Sequence, residues 1–257
     1  MRLRHVSSVS WFLKTAIAYT SLSEQSLRSI PEAGKDFDIH HGALLAPILQ
    51  PRVPGTPGST AVLTHFVNFF QQSLPAWNLT FQNSTSTTPT SNGEQIPFVN
   101  LIATRDPPWT TPGQVGRLAL VAHYDSKLTP HGFIGATDSA APCAMIMHAA
   151  RSIDAALTRK WANMQENEDM DDVDEPAGVQ VILLDGEEAF LSWTSTDSTY
   201  GARYPLDSAE CMSVLTRVQV PCRRMGANHE SSHLNLSLTS PLDRPVSIAG
   251  SPWRRET

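Results

Sequence analysis

Two apolar runs constrain the fold of this 257-residue chain more than any other feature. In LALVA (118–122) and VQVILL (179–184), apolar and polar residues do not alternate as they do in a half-exposed strand. Such continuous apolar runs are typical of strands that helices cover on both faces. Between them, apolar residues recur at steps of three and four over 142–157, and this spacing predicts a helix with one buried face. Strand, helix and strand together predict a βαβ unit in an α/β fold, whose mixed, mostly parallel central sheet is flanked by helices.

Shorter patterns predict the elements around this unit. A capping-box pattern at 21–24 predicts a short helix. Ser59 or Thr60 can cap a second helix after a Pro/Gly-rich loop. The polar stretch 83–93 predicts a loop or hairpin, and PFVNLIAT (97–104) predicts another strand.

Acidic residues and a histidine cluster where the two apolar runs end. In chain order they are His123, Asp125, Asp138, Asp185, Glu187 and Glu188. Sites in open α/β sheets form beyond the carboxyl ends of the strands. A divalent cation converts the repulsion among such carboxylates into shared attraction, and zinc accepts Asp, Glu and His ligands. A surface salt-bridge cluster remains an open alternative from composition alone.

The adjacent pair Glu187 and Glu188 suggests two different roles. At the end of a strand neighbouring side chains diverge, so that one carboxylate can bind a metal while the other faces a substrate. The free carboxylate, near negative charge in a partly dry pocket, should have a raised pKa, as a general base requires. We therefore predict that Glu188 is a metal ligand and that Glu187 transfers protons.

Several segments resemble the glutaminyl-peptide cyclotransferases, or glutaminyl cyclases. They are AHYDSK (122–127), FIGATDSAAPCAMIM (133–147), the stretch 183–204 that begins LLDGEEAFLSW, and PRVPGTPGS (51–59). The resemblance runs from about residue 22 to residue 203, and its GEEAF-x-x-W motif is specific. This family lies in a wider clan of zinc aminopeptidases, which share the sheet and the H-x-D, D and E-E positions.

The resemblance implies a zinc-dependent enzyme that converts the N-terminal glutamine of peptides or proteins to pyroglutamate and releases ammonia. It implies one zinc ion with Asp138 and Glu188 as ligands, Glu187 as the acid and base, and Trp193 in the substrate pocket. The alternative is a zinc aminopeptidase of the same clan. Such an enzyme binds two metals and uses the histidine that matches His123 as a ligand.

The chain departs from the family after about residue 203. The resemblance places the third zinc ligand in a later part of the family, so this ligand cannot be identified here; His229 and His233 are the histidines of the departing segment. We expect a glutaminyl cyclase-like α/β domain, incomplete, over 21–203, and a non-matching, disordered tail over 204–257. A catalytically inactive truncated product is therefore a third interpretation.

One cysteine also departs from the family pattern. The resemblance implies that many relatives carry a cysteine at the position of Ala122, where it forms a disulfide with the cysteine that matches Cys143. Because that partner is missing, Cys143 is predicted to be a free, buried thiol on the helix.

Charge and hydropathy limit the partners and the compartment. A net charge of −6 provides no basic field for nucleic acid, and no apolar run approaches the roughly 20 residues of a membrane span. Residues 1–20 resemble a secretory signal, although a weakly amphipathic leader is equally consistent with them. Sequons at Asn78, Asn83 and Asn235 favour secretion or residence in the ER or Golgi lumen.

Overall fold

The structure, a computed structural model, describes residues 22–111, 114–166 and 177–207. The helices are α1 (Glu24–Arg28), α2 (Pro57–Ser73), α3 (Ala141–Glu166) and α4 (Tyr200–Asp207), and the strands are β1 (Asn78–Ser86), β2 (Ile96–Arg105), β3 (Gly116–His123) and β4 (Ala177–Leu184). Within these ranges, no helix combines the length and apolar character that crossing a membrane requires. The predictions for the leader, for most of the tail, and for His229, His233 and Asn235 lie outside the described residues.

The four strands form one sheet in the order β1-β2-β4-β3. β3 and β4 are parallel and are joined through α3, so the predicted βαβ unit and the α/β class with a mixed sheet are confirmed. The expected predominance of parallel pairing does not hold among the described strands, because β1 pairs with β2 and β2 pairs with β4 antiparallel. The connection from β1 to β2 covers only residues 87–95, and a connection this short suits an antiparallel return.

The two apolar runs differ in burial. β4 is buried over most of its length, with Val181 and Leu183 fully inaccessible, as predicted for a covered central strand. β3 is the outer strand of the described sheet, and Leu118 and Val121 on it are 63% and 52% exposed. The prediction that both runs are covered on both faces is therefore wrong for β3 within the described part of the chain.

The core lies between the sheet and the apolar faces of α2 and α3. Phe66 of α2 meets the ring of Tyr124 edge-on at 5.6 Å, and Met147 of α3 is fully buried in the same cluster. Trp77, which follows α2, packs 5.7 Å from the ring of Phe70 on that helix, and its Nε1 donates to Asp154 of α3 at 2.8 Å. This packing fixes the amino-terminal end of α3, which follows the loop that carries Asp138.

Two predicted helix caps need correction. α1 is capped by Ser23, not at residue 21, and α2 is capped by Thr56, not by Ser59 or Thr60. Thr56 wins because Pro57 follows it, and proline favours the first helical position. The stretch 83–93, predicted as a loop or hairpin, is a hairpin: residues 83–86 end β1, which pairs antiparallel with β2, because an edge strand tolerates polar side chains while its backbone pairs on one side. The strand predicted at 97–104 is confirmed as β2.

Candidate active site

The acidic cluster lies at the carboxyl ends of the parallel strands β3 and β4. His123 is the last residue of β3, and Glu187 and Glu188 follow the end of β4. Asp138 lies in the segment just before α3. The N–H of Tyr124 donates to the carbonyl of Leu184 at 2.7 Å and continues the strand pairing into the site. The predicted convergence of these residues at one edge of the sheet is confirmed.

Three side chains at this edge can share one cation. The ligand atoms of His123, Asp138 and Glu188 all lie within 4.8 Å of one another. Glu188 is only 5% exposed, and its Oε1 is buried without a hydrogen-bond partner in the structure. Lys127 Nζ lies 3.6 Å from the other oxygen, so a lysine balances Glu188 only in part. A buried oxygen without a partner beside a nitrogen and a second carboxylate is a donor set that suits zinc.

His123 is held between two carboxylates. Its Nδ1 lies 3.2 Å from Asp125 Oδ1, and its Nε2 lies 2.9 Å from Asp138 Oδ1. Burial disfavours the imidazolium, but the contacts with Asp125 and Asp138 and the charge of Glu187 outweigh it and raise the pKa of His123 to about 9. The Nδ1 contact fixes the ring with Nε2 towards Asp138, which is the orientation that a metal-binding histidine needs. The third ligand that the sequence left unassigned therefore has a candidate in His123.

Asp125 holds the backbone of the glutamate pair in place. Its side chain is fully buried, and its two oxygens accept the backbone N–H groups of Glu187 at 3.0 Å and Glu188 at 2.9 Å. The same carboxylate contacts His123. One buried carboxylate thus fixes the ring of one candidate ligand and the backbone of another. Partners of this kind orient metal ligands and influence how tightly they bind the metal.

The two glutamates have different environments, as their predicted roles require. Glu187 is the more open, with a 31% exposed side chain and Oε2 at 3.9 Å from His123 Nε2. Burial and the charges of Asp125 and Asp138 raise the pKa of Glu187, against the opposing effect of His123. A raised pKa and access to solvent suit a group that must both accept and deliver a proton. The catalytic and ligand roles themselves remain predictions.

A tight turn aims the pair away from β4. Gly186 has φ +69°, and a Cβ there would lie 2.3 Å from Cδ1 of Phe98, so only glycine fits. Before it, Asp185 N–H donates to Asn100 Oδ1 at 2.8 Å, and Asn100 Nδ2 donates to the carbonyl of Gly201 at 2.8 Å. The sequence analysis missed this role of Asn100; a lone amide within the apolar stretch of β2 is the signal that could have identified it.

Arg52 is a second structural residue that the sequence analysis missed. It is fully buried and donates to the carbonyl of Gly135 at 2.9 Å, as well as to the carbonyls of Tyr124 and Ile134. Burial lowers its pKa. Arg52 therefore ties the Pro/Gly-rich loop to the segments on either side of the candidate metal ligands.

Asp185 provides a pH-dependent prediction for the metal-free chain. It is buried, its Oδ1 has no hydrogen-bond partner, and burial and the charge of Asp125 raise its pKa to about 7. Because this pKa exceeds the unfolded value of 3.8, the folded state binds the extra proton and loses stability as the pH rises from about 4 to 7. The Asp185→Asn variant has no such proton to lose. Its free energy of unfolding, compared with that of the wild type, should therefore increase between about pH 4 and pH 7, by about 4 kcal/mol at most.

Urea unfolding of both proteins at pH 5 and pH 8 in the presence of EDTA measures this difference. A difference in unfolding free energy that is the same at both pH values would contradict the prediction.

The loop after the glutamates carries Trp193. Asp197 fixes this loop by accepting the backbone N–H groups of Phe190, Leu191 and Ser192 at 2.8–2.9 Å, together with the hydroxyl of Tyr200 at 2.7 Å. Trp193 is 58% exposed, so its ring is not part of the core. Its predicted contact with substrate remains a prediction.

The predicted state of Cys143 is confirmed. The thiol is free and fully buried on α3, and its Sγ donates to the carbonyl of His123 at 3.2 Å. Burial raises its pKa to about 12. The thiolate is therefore scarce at neutral pH, and this cysteine packs rather than reacts.

The mixed sheet with a His, Asp and Glu group at its carboxyl edge defines an exopeptidase-like α/β fold. Residues 100–217 match the family model described as Peptidase family M28. Within this class, the predicted resemblance to glutaminyl-peptide cyclotransferases is confirmed by the relatives that the chain matches.

The chain is 37% identical over 189 residues to a glutaminyl-peptide cyclotransferase-like protein of Mus musculus, covering 72% of this chain and 44% of the relative. It is 35% identical over 187 residues to the glutaminyl-peptide cyclotransferase of Bos taurus, and the match covers 71% of this chain and 47% of that relative. Among solved structures, Macrostomum lignano glutaminyl cyclase matches with a TM-score of 0.53 and 29% identity, covering 77% of this chain and 50% of that chain. The chain thus spans about half the length of the curated relatives it matches.

Proposed function

We propose that this chain is a zinc-dependent glutaminyl-peptide cyclotransferase. It converts the N-terminal glutamine of peptides or proteins to pyroglutamate and releases ammonia. The observation that carries the proposal is the arrangement of the acidic pair, in which Glu188 is buried beside two other candidate ligands while Glu187 remains open. The names of the similar proteins from mouse and cattle support the choice of reaction.

In the proposed metal site, Asp138, Glu188 and His123 would hold one zinc ion, since their ligand atoms lie within 4.8 Å of one another. Three protein ligands would leave the ion accessible to a substrate oxygen, as a catalytic zinc site requires. A zinc ion bound there supplies Lewis acidity that polarises the side-chain amide carbonyl of the substrate glutamine.

Proton transfer falls to Glu187. The α-amine nitrogen of the substrate attacks the side-chain amide carbon, and a C–N bond forms as the amine gives up a proton to the Glu187 carboxylate. Glu187 returns that proton to the amide nitrogen, whose bond to carbon breaks, so that ammonia leaves. Amine and carbonyl belong to one residue, so the main task of the site is to hold them in a near-attack geometry. We assign part of this task to the ring of Trp193.

The proposed compartment is the secretory pathway, with the protein secreted or retained in the ER or Golgi lumen as a glycoprotein. Asn78 and Asn83 both lie on β1, and both are exposed. Exposure of these two sequons supports the proposal, because an acceptor asparagine belongs on the surface of a secreted protein.

A zinc aminopeptidase of the same clan is the second candidate. The match to Peptidase family M28 and the contact of His123 with Asp138 favour it, because a histidine and a carboxylate at this distance could also serve a second metal. The two candidates differ in the bond that is attacked: the amide of the glutamine side chain or the first peptide bond.

Two peptides that differ only in their first residue, glutamine or leucine, separate these candidates. We expect the zinc-loaded chain to release ammonia from the glutamine peptide and no amino acid from either. Release of free leucine would replace the cyclase with the aminopeptidase. Absence of both products from a folded chain with one bound zinc would favour the inactive product.

A further inference from the structure

A cavity of about 400 Å³ lies between the end of β1 and the segment 195–203, which follows the acidic pair in the chain. Its lining differs from the candidate metal site, which contains two carboxylates and a histidine. Eight of its ten lining residues carry a hydroxyl group, one is Phe98, one is Arg203, and none is acidic. A hydroxyl-rich cavity with one cation and no carboxylate suits an anionic group.

The charge in this cavity is held in place. Arg203 Nη2 donates to the carbonyl of Ser195 at 2.9 Å, to Thr199 Oγ1 at 3.0 Å and to the carbonyl of Ser198 at 3.4 Å. All three acceptors are uncharged, and among the residues whose side chains the structure describes, which on α4 end at residue 203, no carboxylate forms an ion pair with Arg203. A guanidinium that is already oriented by uncharged acceptors loses little conformational freedom when an anion binds.

Two aromatic residues that line the cavity are also held in place. The rings of Phe98 and Tyr200 stack with 5.2 Å between centroids and 5° between planes. Asp197, which accepts the Tyr200 hydroxyl, is occupied by the backbone N–H groups of its own loop and does not line the cavity. The nearest acidic residue of this loop therefore does not neutralise Arg203 from within the cavity.

The cavity shares its wall with the segment that carries the acidic pair. The N–H of Thr199, a lining residue, donates to the carbonyl of Glu187 at 2.9 Å. Phe98, another lining residue, packs so closely on Gly186 that no side chain fits there. The cavity therefore lies next to the backbone of the segment that carries the acidic pair.

We propose that this cavity is a subsite for an acidic side chain of the peptide, downstream of its N-terminal glutamine, with Arg203 as the residue that determines this preference. The inference rests on the proposed function and adds a substrate class to it: peptides with aspartate or glutamate close to the N-terminal glutamine.

The test uses two peptides that differ only by glutamate or glutamine at the second position, and a second pair with the change at the third. We expect the wild type to show a KM about tenfold lower for the acidic member of one pair, and this preference should shrink at high salt. Arg203→Gln should remove the preference, and Arg203→Lys, which keeps the charge, should retain part of it. Arg28→Gln, an equal change of net charge on α1, should leave it intact.

Calorimetric binding separates the subsite from the reaction. Peptides with N-terminal alanine in place of glutamine cannot cyclise, and the zinc-loaded wild type should still bind the acidic members about tenfold more tightly. A binding preference without any ammonia release would overturn the cyclase and leave the subsite standing. Equal binding of acidic and neutral peptides, or an unchanged preference in Arg203→Gln, would overturn the subsite.

Inorganic phosphate is the third probe. Phosphate that binds through Arg203 while acidic and neutral peptides bind equally would indicate a site for a free anion and overturn the peptide subsite. Thermal unfolding of the Arg203 variants shows whether the loop contacts have been lost. If Arg203→Gln unfolds early, the comparison of Arg203→Lys with the wild type decides, because complete loss of the preference in a folded, still charged variant contradicts the proposal.

Discussion

The Glu187→Gln variant should lose turnover by a factor of about 10² to 10⁴ while it keeps its metal. Glutamine occupies nearly the same volume but cannot accept the proton of the substrate amine. Asp125 would still hold the backbone N–H groups of residues 187 and 188, and Glu188 would keep its buried position. The change therefore removes one proton acceptor and leaves the candidate ligands in place.

Ammonia release and zinc content, measured on the same preparation, test this expectation. Glu94→Gln is the matched control, because Glu94 is exposed in the connection between β1 and β2, and it should leave both quantities unchanged. If Glu187→Gln loses zinc as well as activity, Glu187 is a ligand and the roles assigned to the pair are reversed. If it retains full activity, the proton acceptor lies elsewhere.

The elements around the site could be predicted because their signals are local. The three- and four-residue steps of α3 and the apolar run of β4 follow from the periodicity of the chain itself, and the structure has both. The edge position of β3 could not be predicted in this way. A strand that is apolar on both faces gives the same pattern at the centre and at the edge of a sheet, and only the order of the strands distinguishes them.

The site shows the same limit at the level of single contacts. The positions of Glu187 and Glu188 after a buried strand indicated a site, and their convergence with Asp138 followed from the parallel pairing of β3 and β4. The contact of His123 Nε2 with Asp138 joins residues 15 positions apart and depends on the path of the intervening loop. That path is held by Arg52, whose contact with the Gly135 carbonyl spans 83 positions, and no local pattern contains this information.

The Glu188→Gln variant should lose the metal. Glu188 contributes a buried carboxylate whose Oε1 has no other partner, so an amide in its place removes charge from the cation and leaves only two strong ligands. We expect zinc affinity to fall by at least 100-fold, more than outer-shell changes usually cost. Asp138→Asn should have a similar effect, because Asp138 supplies the other carboxylate of the ligand group.

His123→Ala decides whether the third ligand has been assigned correctly. We expect it to weaken zinc binding as strongly as Glu188→Gln, since it removes the nitrogen of the group. His148→Ala is the matched control, because His148 lies on α3 with its Nε2 at 3.0 Å from the carbonyl of Pro31 and outside the ligand group. Competition with a chromophoric chelator measures the zinc affinity of these four variants and of the wild type, and it does not depend on enzymatic activity. Full zinc affinity in His123→Ala would show that another residue completes the site, and full affinity in Glu188→Gln would remove the metal centre from this edge of the sheet.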